Sequence, residues 1–400
     1  MISTSPGISR LSTMIAAAKI DEIHEVINIY RRQLTSFSLS EGYLGVSVFK
    51  YLYAVHTGRK RYLDEAREAF DHACDMIDGD PRKAYPQDFT DLGSVAQYLC
   101  QAGVLDIDPN VFLSDVDSIL LSKMRAELSA GNIGSLTSGA LGYGLYFLQR
   151  SYYNRERAQP VVEELVLGII RSAVRTDGTC HWNAGLDHDE AGSGLFFPQG
   201  EAAILLILSR VVEMGLFPAT HLEALTQEAI AYIENRHLEQ KALSETDKNY
   251  GVYLNRQASR YEDISLGYTL LRTGTAFKNA EWSKEGRAIL KNCASRHLID
   301  PTGVQNAGIL SGATGLALLF DRAAHLTNDV AMEHAANFWY TQILRFDLNA
   351  DGYAGYKVLE NPWSPQSNIA FSEGIIGIGC GLIKSLNPGK VDFHDLIWLL

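Results

Sequence analysis

One short pattern recurs along this chain: two glycines three residues apart at the head of an apolar run. It reads Ser40-Glu41-Gly42-Tyr43-Leu44-Gly45 near the start and Ser372-Glu373-Gly374-Ile375-Ile376-Gly377 near the end. Between them stand Thr137-Ser138-Gly139-Ala140-Leu141-Gly142 and Leu310-Ser311-Gly312-Ala313-Thr314-Gly315. Looser copies are Asp91-Leu92-Gly93, Pro198-Gln199-Gly200 and Asp263-Ile264-Ser265-Leu266-Gly267. The copies follow one another at steps of roughly fifty to sixty residues, and a motif at such a period marks a repeat architecture.

Each repeat has room for two helices. In the first, Gly42 to about His56 is apolar on nearly every side, as a buried helix is, whereas Lys60 to Gly79 is amphipathic and charged. The pairing recurs downstream. The expected fold is therefore all-α: an α/α toroid of seven helical hairpins whose inner helices begin at the Gly-x-x-Gly motifs. Those starts fall near Gly42, Gly93, Gly139, Gly200, Ser265, Gly312 and Gly374, with their N-termini on one face. Small residues let the helix starts crowd, and the Ser before the glycine suits an N-cap.

The repeats run from about residue 38 to 400 with no Pro- or Gly-rich linker. This predicts a segment and helix over 1–37, then one domain over 38–400. Asp21 to Arg32 reads as a helix closing the ring or covering its edge. Val111 to Ala130 reads as the outer helix of the second hairpin. The apolar run from Phe393 to Leu400 reads as the last outer helix, packed on the first repeat. A net charge of −12 argues against a nucleic-acid partner. Cys74, Cys100, Cys180, Cys293 and Cys380 are scattered, which suits a reducing, cytoplasmic setting rather than a disulfide scaffold. No signal peptide or membrane span is expected.

Three long segments lead into inner helices, and a toroid carries its binding site on such loops. Asp177–Pro198 holds Cys180, His181, Trp182, Asp187, His188, Asp189 and Glu190. Ser244–Asp263 holds Arg256, Arg260, Tyr261 and Glu262. Asp347–Ser372 holds Tyr353, Tyr356 and Trp363. Its first residues open like a calcium loop, but Val358 stands where the closing Glu belongs, so an Asx-type turn is the better reading.

In its run of Gly-x-x-Gly helix starts, the chain resembles the lanthionine synthetase C-like family over about residues 38–400. That resemblance implies peptide modification in lanthipeptide biosynthesis. A precursor Cys thiol adds to dehydroalanine or dehydrobutyrine to close a thioether, and in many members a zinc ion activates the thiol. The zinc ligands do not carry over. The family's Trp-Cys-x-Gly is here Tyr261-Glu262-Asp263-Ile264, and its Cys-His-Gly is Leu310-Ser311-Gly312. Gln199 replaces a His before the fourth glycine, and Ser135 an Asp four before the third. The expectation is no zinc at that position and no cofactor. Cyclase domains of fused kinase-lyase-cyclase synthetases also lack these ligands, so the ring chemistry is not thereby excluded. A precursor peptide and a dehydratase or kinase/lyase enzyme are the implied partners.

Without metal, thiol addition needs a base, a positive field and held geometry. The catalytic candidates are Glu262, Asp263, Arg260 and His181. The substrate-binding candidates are Gln199, Ser311, Glu41, Glu373, Tyr261, Trp182 and Trp363. Converging helix N-termini would lower a thiol's pKa. Two other classes stay open: a non-catalytic scaffold that binds a peptide or partner, and a carbohydrate-active α/α toroid using acids such as Glu41, Asp91 or Glu262.

Overall fold

The computed structural model describes residues 10–79, 86–182, 200–246, 254–296, 304–310, 312–358 and 366–397. The chain is all-α. In order come α1 (Arg10–Tyr30), α2 (Tyr43–Thr57), α3 (Arg61–Gly79), α4 (Pro86–Gln101), α5 (Pro109–Phe112), α6 (Ser114–Ala130), α7 (Gly139–Arg150) and α8 (Arg155–Ser172). Then follow β1 (Val174–Thr176), β2 (Thr179–His181), α9 (Gly200–Glu213), α10 (Glu223–Thr246), α11 (Leu254–Ala276), α12 (Ala280–Arg296), α13 (Ala313–Thr327), α14 (Val330–Ile343) and α15 (Ile375–Leu386). β1 and β2 form the one sheet among the described residues, an antiparallel hairpin. Asp177 and Gly178 turn it with φ of 50° and 79°. Two consecutive left-handed residues are what a tight hairpin turn needs.

The contacts group the chain into two compact units, residues 1–107 with 304–399, and residues 108–303. In the first, α2 pairs with α3 and α13 with α14, each buried helix beside its more exposed partner. The buried helices also line up as α13, α15, α2 and α4, each packed on the next. The last repeat thus meets the first. Among the described residues the outer partner of α15 is α1, and the described part of the C-terminal run forms a 3-10 turn at His394–Ile397. The reason is packing. Ile20, Ile23 and Ile27 give α1 a fully buried stripe. Gly379 lets that stripe close on α15: a Cβ there would lie 3.0 Å from Ile23 Cγ2 and 2.6 Å from Phe49 Cε2. In the second unit α7, α9 and α11 neighbour in that order, and α7 pairs with α8, α9 with α10 and α11 with α12.

Two expected helix starts are corrected. α4 begins at Pro86, where Pro needs no N–H acceptor in the first turn. Asp91 and Gly93 therefore lie inside it. α11 begins at Leu254, so Arg260 to Asp263 lie inside a helix rather than in a loop before one. The expected outer helix over Val111–Ala130 is broken at Leu113 into α5 and α6.

Buried cations sit well down the buried helices and take acidic or carbonyl partners there. The Arg150 Nε donates to Asp117 at 2.9 Å, the Arg272 Nη2 to Glu213 at 2.7 Å and the Lys384 Nζ to the Val391 carbonyl at 2.8 Å. Lys50, wholly buried, donates to Glu65 and Asn28, both at 2.6 Å, and lies 3.0 Å from the His24 Nε2. Burial pushes the Lys50 ammonium below its ordinary range, and the Glu65 carboxylate opposes that shift. The resemblance of the 347–352 segment to a calcium loop has a physical counterpart. The ammonium of Lys19, from α1, lies 3.0 Å from Asp347, 2.6 Å from Glu22 and 3.1 Å from the Ala354 carbonyl.

Helix α2 offers a clean comparison between its two ends. Gly42 has extended backbone, yet a Cβ on it would lie 2.3 Å from the Ser36 carbonyl oxygen. Gly58 has φ of 69° and open space around it. Gly42→Ala should cost about 3 kcal/mol through overpacking, and Gly58→Ala about 1 kcal/mol through backbone strain. Urea unfolding of the two variants measures the difference, and equal losses would contradict the close approach at Gly42.

Candidate functional site

The motif glycines do not expose free helix ends. At α2, α13 and α15 the N-cap is the glycine itself, Gly42, Gly312 or Gly374, and no side chain caps the helix. The preceding loop doubles back instead and offers its own carbonyls. Tyr43 N donates to Ser36 O at 3.2 Å and Leu44 N to Phe37 O at 3.1 Å. Ala313 N and Thr314 N donate to Asn306 O and Ala307 O at 3.1 and 3.3 Å. Ile375 N and Ile376 N donate to Asn368 O and Ile369 O at 3.1 and 3.3 Å. α7 does the same, with Ala140 N on Asn132 O and Leu141 N on Ile133 O.

Only glycine permits this, because the returning loop crosses where a Cβ would be. The positions six residues before the three N-cap glycines are Ser36, Asn306 and Asn368. Each folds its side chain back on its own loop, accepting from Ser38 N, Gly308 N and Ala370 N at 3.0, 2.8 and 2.7 Å. These are the side-chain turns that Ser and Asn favour. The expectation that the Ser before the glycine caps the helix is corrected at α2 and α15, where the glycine is the N-cap; at α7 Ser138 does hold the N-cap position, but its side chain makes no capping hydrogen bond. The expectation of a strong local field is corrected too. The first amides of these helices already have acceptors, and less of their partial charge is left for a thiolate.

The loops are also tied to one another within the first unit. Ile309 N and Leu310 N both donate to Ser372 O, at 3.0 and 3.2 Å. Phe371 N and Ser372 N both donate to Ser40 O, at 2.9 and 3.1 Å. The same two positions of the next loop are Leu39 and Ser40. For Leu39 the acceptor is no carbonyl but the carboxylate of Asp91, which takes its N–H at 2.9 Å, and the Ser40 amide lies close enough to favour the charged carboxylate. Asp91 is half-buried. Burial pushes its pKa up to about 7, opposed by the Leu39 amide and reinforced by Asp88. Sequence reading found Asp91 but assigned it to a helix start, because nothing local says that its carboxylate replaces a carbonyl.

Of the other candidates, Glu41 is exposed on the loop before α2. Glu373 is half-buried, its carboxylate lying against Gly308. Asp263 is half-buried on α11. Arg260, Tyr261 and Glu262 belong to the same helix, with their side chains outside the described residues. The backbone still decides one point: Arg260 and Asp263, three apart, share a helix face, whereas Arg260 and Glu262 do not. His181 is placed elsewhere, on β2, stacked on Tyr232 of α10 with ring centroids 5.0 Å apart. Its neighbour Cys180 is buried, its thiol 3.7 Å from the Leu225 carbonyl and pushed up to about 12 by burial. Trp182 is buried too and donates from Nε1 to Ile169 O at 2.8 Å. Gln199, Ser311, Trp363 and the run Asp187-His188-Asp189-Glu190 lie outside the described residues.

The description "lanthionine synthetase C-like protein" matches residues 33–396. The chain belongs to the lanthionine synthetase C-like family. A comparison with curated proteins gave no match. The zinc of this family fits the residues present poorly. Leu310 offers no side-chain donor, and Glu262 and Ser311 replace thiolate and imidazole with harder, weaker ligands. Leu310 also has its main-chain N–H engaged by Ser372. Among the described residues no three His, Cys, Asp or Glu side chains gather as a metal site would require. Among the same residues no helix is long and apolar enough to cross a membrane.

The Asp91 environment makes a pH prediction. Its folded pKa of about 7 lies above the ordinary 3.8, so the folded chain binds the proton more tightly than the unfolded one. The associated stability is present below 3.8 and is lost as pH rises through 7. Wild type should therefore lose stability relative to Asp91→Asn across that window and run parallel to it above. Denaturant midpoints of both proteins across the range provide the check.

Proposed function

We propose that this chain is a peptide-modifying protein of cyclase type, adding a cysteine thiol to a dehydroamino acid without the family's zinc. The family match across residues 33–396 carries the reading. In such an addition the base takes the thiol proton and the thiolate sulfur bonds to the β-carbon of the dehydro residue. The electron pair of the double bond moves to the α-carbon as an enolate, which then takes a proton.

Glu262 is the proposed base, since it stands where the family places a zinc-binding Cys. Arg260 is the proposed partner of the enolate charge, a preorganised cation of the kind that stabilises such states. Asp263, three residues further along the same helix, is the proposed partner of Arg260. Glu41, Glu373, Tyr261, Gln199, Ser311 and Trp363 are proposed to contact the peptide. The partners are a precursor peptide and a dehydratase or kinase/lyase enzyme, and the proposed setting is cytoplasmic.

The second reading is a scaffold that binds the precursor or a partner enzyme. It is favoured by the loop carbonyls on the first amides of α2, α13 and α15, which reduce the field available to a thiolate.

The assay is a dehydrated precursor incubated with each protein, with free thiols counted by alkylation and mass spectrometry. Glu262→Gln should lower thioether formation about 100-fold, as expected on losing a positioned base. Equal rates for wild type and variant would remove Glu262 from the mechanism. Thiol loss no faster with wild type than without protein, together with tight precursor binding, would establish the scaffold.

A further inference from the structure

We propose that Asp91 is a positioning residue that fixes the loop from Ser36 to Gly42 and so sets the place of Glu41 at the peptide-binding rim. The role of the rim rests on the peptide reading above; the role of the latch does not.

The argument is a comparison of equivalent positions. In the loops before α13 and α15, the two residues at three and two before the N-cap glycine donate their N–H groups to one carbonyl of the neighbouring loop. Ile309 and Leu310 use Ser372 O, and Phe371 and Ser372 use Ser40 O. The loop before α2 has the same two donors, Leu39 and Ser40. Its neighbour α4 is already helical there, and its carbonyls are committed to its own helix. The acceptor has to come from a side chain, and Asp91, two residues before Gly93, supplies it. A carboxylate with two oxygens can take both donors, as the carbonyl does elsewhere.

The consequence is specific to one loop. Glu41 directly follows Ser40, and Ser40 itself accepts from Phe371 and Ser372. Asp91 therefore holds a loop that in turn holds the loop before α15, where Glu373 sits. Loss of the latch frees the amides of Leu39 and Ser40 first. Tyr43 and Leu44 are bonded instead to Ser36 and Phe37, and their amides serve as the internal control.

The test is Asp91→Ala, with Asp91→Asn as the conservative variant, read by native-state hydrogen exchange and by a synthetic peptide carrying one cysteine and one dehydroalanine. Protection of Leu39 and Ser40 should fall about 10-fold or more in Asp91→Ala, as expected for losing charge-assisted hydrogen bonds. Tyr43 and Leu44 should change far less. The peptide's KM should rise by a similar factor while kcat changes little, and Asp91→Asn, whose amide oxygen still accepts, should recover most of both losses. Unchanged protection at Leu39 and Ser40 would overturn the latch. Lost protection with an unaltered KM would overturn its link to the peptide rim. If wild type neither binds nor cyclises the peptide, the peptide reading and that link fall together, and the exchange data alone decide the latch. Should Asp91→Ala fail to fold, the wild-type amide resonances of Leu39 and Ser40 must shift together with the Asp91 carboxyl carbon during titration. Independent titration would refute the contact.

Discussion

A buried helix cannot begin without an answer for its first backbone N–H groups, and the rest of this structure depends on how that answer is given. Water is excluded at these starts, and an orphaned amide there is costly. The usual solution, a Ser or Asp side chain, satisfies one donor. Here a loop turns back across the helix start and satisfies two with its own carbonyls. The glycine at the N-cap is the steric condition for that return, since a Cβ at Gly42, Gly312 or Gly374 would stand within 2.2–2.4 Å of loop atoms. Once the loops lie across the helix starts, their remaining amides face each other, and Ser40 and Ser372 become shared acceptors. Loop order thus follows from helix capping.

The lower reaches of the same helices solve the opposite problem. Arg150, Arg272 and Lys384 stand near C-terminal turns, where a positive charge is favoured by the orphan carbonyls, and each is matched by an acid or carbonyl. Lys50 is the deeper case, enclosed by α1, α2 and α3 through His24, Asn28 and Glu65. Removing one partner from so enclosed a charge is more damaging than never having placed it there. The N-terminal helix is therefore part of the fold: it covers α15 with isoleucines and joins the 347–354 loop through Lys19.

For function, these two facts pull in different directions. Family membership brings the chemistry of thiol addition into view, yet Glu262, Leu310 and Ser311 stand where the resemblance places metal ligands, and the first amides of α2, α13 and α15 are already engaged. Of the carboxylates singled out in this chain, Glu41 and Glu373 stand on the loops before α2 and α15, whereas Asp91 and Asp263 lie inside α4 and α11. They differ in surroundings, from the exposed Glu41 to Asp91 with its two backbone amides and a pKa near 7.

The repeat, the all-helical class and the family were legible in the sequence, because each depends on local signals that recur: glycines at fixed spacing, apolar runs, charged partners. The Ser or Asn six residues before three of the glycines was not singled out in the sequence, and its purpose appears only with the loop folded back. Other features were not legible either. The start of α4 at Pro86 and of α11 at Leu254 overrode the motif, since a helix extends wherever its flanking residues allow it. Cys180 and His181, read as part of a long loop, lie on a strand that packs on α10, because a hairpin turn at Asp177-Gly178 directs it there. A helix over Asp21 to Arg32 that closes the ring or covers its edge was read from the sequence; that α15 is the element it packs on was not, since the two stand more than three hundred residues apart. Nor was the role of Asp91. A carboxylate becomes a substitute for a carbonyl only when two amides from another loop arrive within hydrogen-bonding distance, and that meeting is decided by tertiary packing alone.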